Sequence, residues 1–149
     1  TEPDPRLDLS RTDVARKILI IARESGYKIE MEDISNNGFL PDSCLAGSVD
    51  DFYKELERHD DHFRGLLEKA AVQGLTLKYI ASFHDGQASV GLQSIGPDHN
   101  FANLSGKDNA VLFYTKRYSE QPLVIKGAGA GADVTAAGVF ADIIRAARS

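Results

Sequence analysis

Residues 77–92 constrain the fold more than any other stretch of this 149-residue chain. Leu77, Tyr79, Ala81 and Phe83 alternate with Lys78, Ile80 and Ser82. After Asp85-Gly86, Ala88, Val90 and Leu92 alternate back. Period two is the spacing of a strand that rests one face on a core. Asp-Gly between two such runs is a strong signal for a two-residue hairpin turn. The chain therefore contains an antiparallel hairpin, and its other elements must supply the cover.

Two helical regions answer that need. Ser10 reads as an N-cap with Asp13 at the third helical position, a capping-box arrangement. Val14, Ile18 and Ile21 then recur at helical spacing beside Ala15, Leu19 and Ala22, and Gly26 is the stop signal. The pattern predicts an amphipathic helix over residues 11–25. A second, charged helix is expected over residues 49–72, with Phe52, Leu56, Phe63, Leu66, Leu67 and Ala70 as its buried side and Gly74 as its end. Residues 1–9 read as an extended loop, because Pro3 and Pro5 bias Glu2 and Asp4 away from helix. Residues 27–34 alternate and predict a short strand. Further strands are expected at 110–115 and 123–125, and a closing helix at 133–147.

Composition narrows the function classes. With 42% hydrophobic and 26% charged residues the chain can bury a real core. A net charge of -5 with scattered basic residues argues against a nucleic-acid partner. Cys44 is the single cysteine, so an intrachain disulfide and a cysteine-rich zinc site are excluded, and a reducing cytoplasm is the simplest compartment. No apolar run reaches the ~18 residues of a membrane span, so no membrane partner is expected.

Two stretches can carry chemistry. The first is TEPDPRLDLSRTDVARK at the start, with acids Glu2, Asp4, Asp8 and Asp13 and a lysine, Lys17. Asp13 and Lys17 stand at i and i+4, on one helical face. The bland reading is an exposed ion pair worth a few tenths of about 1 kcal/mol. The functional reading is a small polar site. A lysine among carboxylates keeps its proton and can donate it to an oxygen that gains negative charge. Nearby carboxylates can grip the ammonium of an amino-acid substrate. The second stretch is LVIKGAGAGADVTAAGVFADIIRAAR, where a strand enters a glycine-rich turn that opens a helix. Gly127, Gly129 and Ala132 fit the loose dinucleotide fingerprint. No second strand and no acidic ribose ligand about 20 residues on follow it. The turn can touch a cofactor held mainly elsewhere, or it is simply a flexible helix entry. His59 and His62 flank Asp60 and Asp61, where a solvated helix face outweighs a metal site. Asp98-His99-Asn100 reads as a polar loop and Cys44 as non-catalytic.

Both ends resemble the homoserine dehydrogenase family. TEPDPRLDLSRTDVARK is similar to that family's signature, close to Y-T-E-P-D-P-R-x-D-L-S/N-G-x-D-V-x-R-K. PLVIKGAGAGADVTAAGVFADIIR resembles the family's C-terminus, and LSGKDNAVLFYTKRYSEQPL also fits. The resemblance covers essentially the whole chain, and it implies the fold class α/β (α+β): a mixed β-sheet covered by helices, in one domain over residues 1–149. It is nearest to the dehydrogenase module of bifunctional aspartokinase–homoserine dehydrogenases.

The resemblance implies a reaction: NAD(P)-dependent interconversion of L-aspartate 4-semialdehyde and L-homoserine, on the route to threonine, methionine and isoleucine. Lys17 matches the catalytic lysine. Glu2, Asp8 and Asp13 match the acids of the substrate site, with Glu2 facing the substrate's polar groups. Gly131, with Gly129 beside it, matches a glycine near the cofactor. No metal ligand is expected within the chain. NAD(P) would be bound mainly by an N-terminal Rossmann domain that this chain lacks, and the 133–147 helix would pack near it. A homodimer in the cytoplasm is expected, as is inactivity of the chain alone. Arg11 departs from the family, which usually has glycine there. The alternative is a non-catalytic dimerisation or amino-acid-binding module with the same fold.

Overall fold

The computed structural model describes residues 3–9, 12–106 and 108–148, with the backbone alone for Leu7 and Asp8. Glu2, the Ser10 cap, Arg11 and the Asp8 side chain lie outside the described part. The chain divides into two compact units, Thr1–Pro97 and Asp98–Ser149.

The first unit is built around the expected hairpin. Strands β2 (Thr76–His84) and β3 (Gln87–Ile95) pair antiparallel, with His84 opposite Gln87 at the closed end. Asp85 and Gly86 take φ of 47° and 79°, the two positive values that a type I′ turn requires. A short strand, β1 (Ile34–Asn37), adds parallel to β3 with Ile34 opposite Ala88, so the sheet order is β1-β3-β2.

Helix α2 (Thr12–Glu24) lies against β2 and β3 and buries Ala15, Leu19 and Ala22, one stripe at helical spacing. That stripe joins Ile29, Ile34, Ala88 and Val90 in one core, with Tyr79, Ala81 and Phe83 packed beside it. These are the positions that the alternation places on one face. Gly26 ends the helix at φ 91°. Tyr27 N donates to Ala22 O at 3.1 Å and Gly26 N to Arg23 O at 2.9 Å. This Schellman arrangement satisfies carbonyls that the helix end leaves open.

Three expectations are corrected. Residues 5–9 are not extended: they form a short helix, α1 (Pro5–Leu9). The Asp4 carboxylate accepts the Arg6 backbone N–H at 2.9 Å, as an N-cap does, and Pro5 takes the first helical position, where its missing N–H costs nothing. Residues 27–34 are not a strand. Residues Met31–Asp33 make a 3-10 turn and pairing starts only at Ile34. That turn is held by Glu30 N–H donating to Asp33 Oδ2 at 2.8 Å, and by Arg23, which donates to Ile29 O at 3.0 Å and pairs with Glu30. The charged region of residues 49–72 is two helices, α3 (Val49–Arg58) and α4 (Asp60–Val72), meeting at His59. Arg58 stands in the last turn of α3 and Asp60 and Asp61 in the first turn of α4, each on the side that the helix dipole favours.

The second unit holds a hairpin and a helix. Strands β4 (Asp108–Phe113) and β5 (Leu123–Ala128) pair antiparallel, with an ion pair of 3.0 Å between Lys126 and Asp108. Helix α5 (Ala132–Arg148) follows. The fold class is α/β with mixed pairing, as the resemblance implies, and the described strands fall into a three-stranded and a two-stranded sheet.

Candidate active site

Helix α2 places Asp13 and Lys17 on the side away from its buried stripe. Lys17 Nζ is 2.6 Å from Asp13 Oδ2, and the two side chains keep 57% and 61% of their exposure. The carboxylate thus holds the ammonium in one place while leaving it open to a small molecule. Such geometry belongs equally to an ordinary surface pair, so by itself it does not make a site. Asp8 lies on α1, which packs against α2.

The start of the chain carries a second charged group that spacing alone does not reveal. The Arg6 guanidinium forks onto Asp4: Nε reaches Oδ1 at 2.9 Å and Oδ2 at 3.1 Å, and Nη2 reaches Oδ2 at 2.7 Å. Its remaining arm, Nη1, donates to the Gly47 carbonyl at 2.7 Å. The hydrogen bonds from Arg6 hold the Asp4 carboxyl below its usual range, and Asp4 in turn raises Arg6. Beyond Gly47, Ser48 caps α3. Its hydroxyl and backbone N–H donate to Asp51 Oδ2 at 2.7 and 3.0 Å, and this holds Asp51 below the usual carboxylate range. The sequence signal for α1 was present in Asp4-Pro5-Arg6, a cap followed by proline at the first helical position. Nothing in the spacing pointed to the Gly47 contact.

In the second unit the glycine-rich turn does join a strand to a helix. Gly131 sits at φ 134° and its carbonyl accepts Thr135 N–H at 3.0 Å, starting α5. The strand before it, β5, pairs antiparallel with β4, whereas a dinucleotide fold needs a parallel β-α-β unit. At Gly129 an added Cβ would stand 1.9 Å from the Asn109 amide nitrogen, so a protein side chain already accounts for that glycine. Among the described residues the strand before the turn has an antiparallel partner alone.

The remaining polar candidates are satisfied locally. His59 Nε2 lies 2.9 Å from Ser43 Oγ, His62 Nε2 lies 3.0 Å from Phe39 O, and His99 Nδ1 accepts Phe101 N–H at 3.1 Å. Among the described residues no group of three or more His, Cys, Asp or Glu side chains could hold a metal ion. Cys44 is buried, and burial pushes its thiol up, away from the reactive thiolate.

Comparison with known proteins decides the family. The family model described as homoserine dehydrogenase matches residues 1–144. The chain belongs to the homoserine dehydrogenase family. A bifunctional aspartokinase/homoserine dehydrogenase 2 of Zea mays, named chloroplastic, is 45% identical over 150 residues, which is 99% of this chain and 16% of that protein. Among solved structures, a Candida auris protein of unknown function superposes with a TM-score of 0.87 at 38% identity, covering 99% of this chain and 42% of the other. A putative homoserine dehydrogenase of Archaeoglobus fulgidus gives 0.68 at 26% identity, over 96% of this chain and 38% of the other. The chain thus spans about a sixth of the Zea mays relative (16%) and less than half of either solved chain.

Proposed function

We propose that this chain is the catalytic, substrate-binding domain of an NAD(P)-dependent homoserine dehydrogenase that interconverts L-aspartate 4-semialdehyde and L-homoserine. The observation that carries the reading is that the match runs through residues 1–144 and includes the motif in which Asp13 holds Lys17 at 2.6 Å. Membership in a family of dehydrogenases supplies the reaction class; the residues supply the proton chemistry.

In the reductive direction an aldehyde must gain a hydride at carbon and a proton at oxygen. The nicotinamide, when bound, supplies the hydride. Lys17 Nζ donates the proton to the carbonyl oxygen as that oxygen gains charge, giving the primary alcohol. With 57% of its side chain exposed, Lys17 can regain a proton from water. Asp13 orients the ammonium through their ion pair. Asp8 assists that placement, and Glu2 receives the substrate's α-ammonium. In the oxidative direction the same atoms run backward, with Lys17 taking the hydroxyl proton.

NAD(P) is held mainly by a domain outside this chain, and the backbone at Gly129 and Gly131 contributes an edge contact. The apolar side of α5, with Val139, Phe140 and Ile143 exposed by 56%, 63% and 58%, is suited to cover by such a domain. A homodimer in the cytoplasm, serving threonine and methionine biosynthesis, completes the reading. Among the described residues no helix is long and apolar enough to cross a membrane.

The test is NADPH oxidation with the semialdehyde by the complete polypeptide and its Lys17→Ala variant. Turnover should fall by about 100-fold or more, the size of effect that a positioned acid supplies. Unchanged turnover would return Asp13–Lys17 to the status of a surface ion pair. The 149-residue chain alone should show no turnover; robust activity would overturn the assignment of the cofactor to another domain.

A further inference from the structure

We infer that Arg6 is a positioning residue for the substrate site: it clamps helix α1 to the loop that starts helix α3, and so fixes the helix that carries Asp8 against the helix that carries Asp13 and Lys17. The inference rests on the reading of Lys17 and the acids given above.

Helix α1 has five residues, too few to persist by its own hydrogen bonds. Something outside it must set its place. Packing against α2 is one support. Another is Arg6, whose side chain keeps only 18% of its exposure and whose partner Asp4 keeps 30%. All three guanidinium nitrogens are used: Nε and Nη2 on the Asp4 carboxylate, Nη1 on the Gly47 carbonyl at 2.7 Å, 41 residues away in sequence. Asp4 also caps α1 through the Arg6 backbone N–H at 2.9 Å. One residue pair therefore starts the helix and moors it.

The mooring point is itself built. Gly47 has φ 77°, a conformation that side chains with a Cβ rarely adopt. An added Cβ there would stand 2.9 Å from Asp51 Oδ2. Asp51 is fixed by the Ser48 cap and its negative charge also acts on Arg6. The loop thus offers the guanidinium a carbonyl directly and a carboxylate at longer range. A planar fork can hold a carboxylate with two nitrogens and reach a third acceptor; a lysine ammonium is a point charge on a flexible stem and cannot reproduce that fixed geometry.

Arg6 is not assigned contact with the substrate. It acts by holding α1, so its loss should misplace the acids around the substrate and leave nicotinamide binding alone. Catalytic geometry is steep in position: a shift of about 1 Å can cost about 100-fold.

The experiment uses the complete polypeptide with the variants Arg6→Ala, Arg6→Lys, Asp4→Asn, Gly47→Ala and Lys17→Ala, assayed in the direction of homoserine oxidation. Arg6→Ala should raise the KM for homoserine about tenfold and lower kcat, with the KM for NAD(P) within about twofold of the parent. Arg6→Lys should recover little of this, because the charge returns without the fork. Asp4→Asn and Gly47→Ala should shift homoserine KM in the same direction by less, and they carry the test if Arg6→Ala fails to fold. Two results overturn the inference. One is unchanged homoserine kinetics in Arg6→Ala, or in Asp4→Asn and Gly47→Ala, whatever happens to melting temperature. The other is full rescue by Arg6→Lys. If Lys17→Ala keeps its turnover, the reading of the site fails instead; if Lys17→Ala loses it while the Arg6 variants behave as parent, only the clamp is wrong.

Discussion

The two units of this chain hold themselves together differently. In Thr1–Pro97 a hairpin, a third strand and helix α2 enclose a continuous core; every buried apolar residue among the described residues lies between Ala15 and Ile95. In Asp98–Ser149 no strand or helix residue is buried, and Leu123, Val124 and Ile125 on β5 and Phe140, Ile143 and Ile144 on α5 are all more than a third exposed. β4 and β5 pair along their whole length and α5 runs 17 residues, so the second unit has secondary structure with its described strand and helix residues half-buried at most. The contrast teaches where folding free energy enters. Large apolar side chains contribute about 1.5–3 kcal/mol each when fully buried, and here the buried ones sit in the unit that carries Lys17.

The sharpest way to break that comparison is to truncate one phenylalanine in each unit. Phe52, on α3, is 1% exposed, and Phe52→Ala should cost about 3–5 kcal/mol in urea unfolding of the chain. Phe140, on α5, is 63% exposed, and Phe140→Ala should change stability by less than about 0.5 kcal/mol. Equal costs would mean that the second unit has a core of its own.

A smaller effect sharpens the account of the first unit. Asp4 has its pKa lowered chiefly by hydrogen bonds from Arg6. A depressed carboxylate gives stability that is present above its unfolded pKa of about 3.9 and is lost as pH falls through its lower folded value. The stability difference between the parent and Asp4→Asn should therefore be flat above about pH 5 and shrink only in the acid range below about pH 4. A difference that disappears between about pH 6 and 8 would point to another titrating group.

Much of the first unit was legible because its signals are local. Alternation marks the face of β2 and β3 that packs on α2, though Ile80 and Ile95 on the opposite face are buried as well; Asp85-Gly86 marks the turn, and Gly26 the end of α2. The failures share a cause: a local preference was outweighed by a specific side-chain partner. Pro3 and Pro5 suggested extended chain, but Asp4 caps a helix that Pro5 can begin. Residues 27–34 alternate like a strand, yet contacts of Arg23, Glu30 and Asp33 set a 3-10 turn at Met31–Asp33 ahead of the pairing at Ile34. No glycine or proline announces the break at His59, where charge ordering on either side is the only signal.

The candidate site was legible to a different degree. Helical spacing brings Asp13 and Lys17 together, and the structure joins them as an ion pair. The chemistry proposed for that pair rests on the motif, because an exposed i,i+4 pair is common on any helix. Arg6 is not legible from spacing, because its value depends on Gly47, which sequence distance hides.

The central claim is that Lys17 supplies the proton. Single-turnover kinetics test it most directly: complete polypeptide, NADPH already bound, semialdehyde mixed in, and the loss of NADPH absorbance followed for the parent and Lys17→Ala. The account predicts that NADPH binding is unchanged while the rate of hydride transfer falls by about 100-fold or more. A transfer rate equal to the parent's, with binding unchanged, would contradict it.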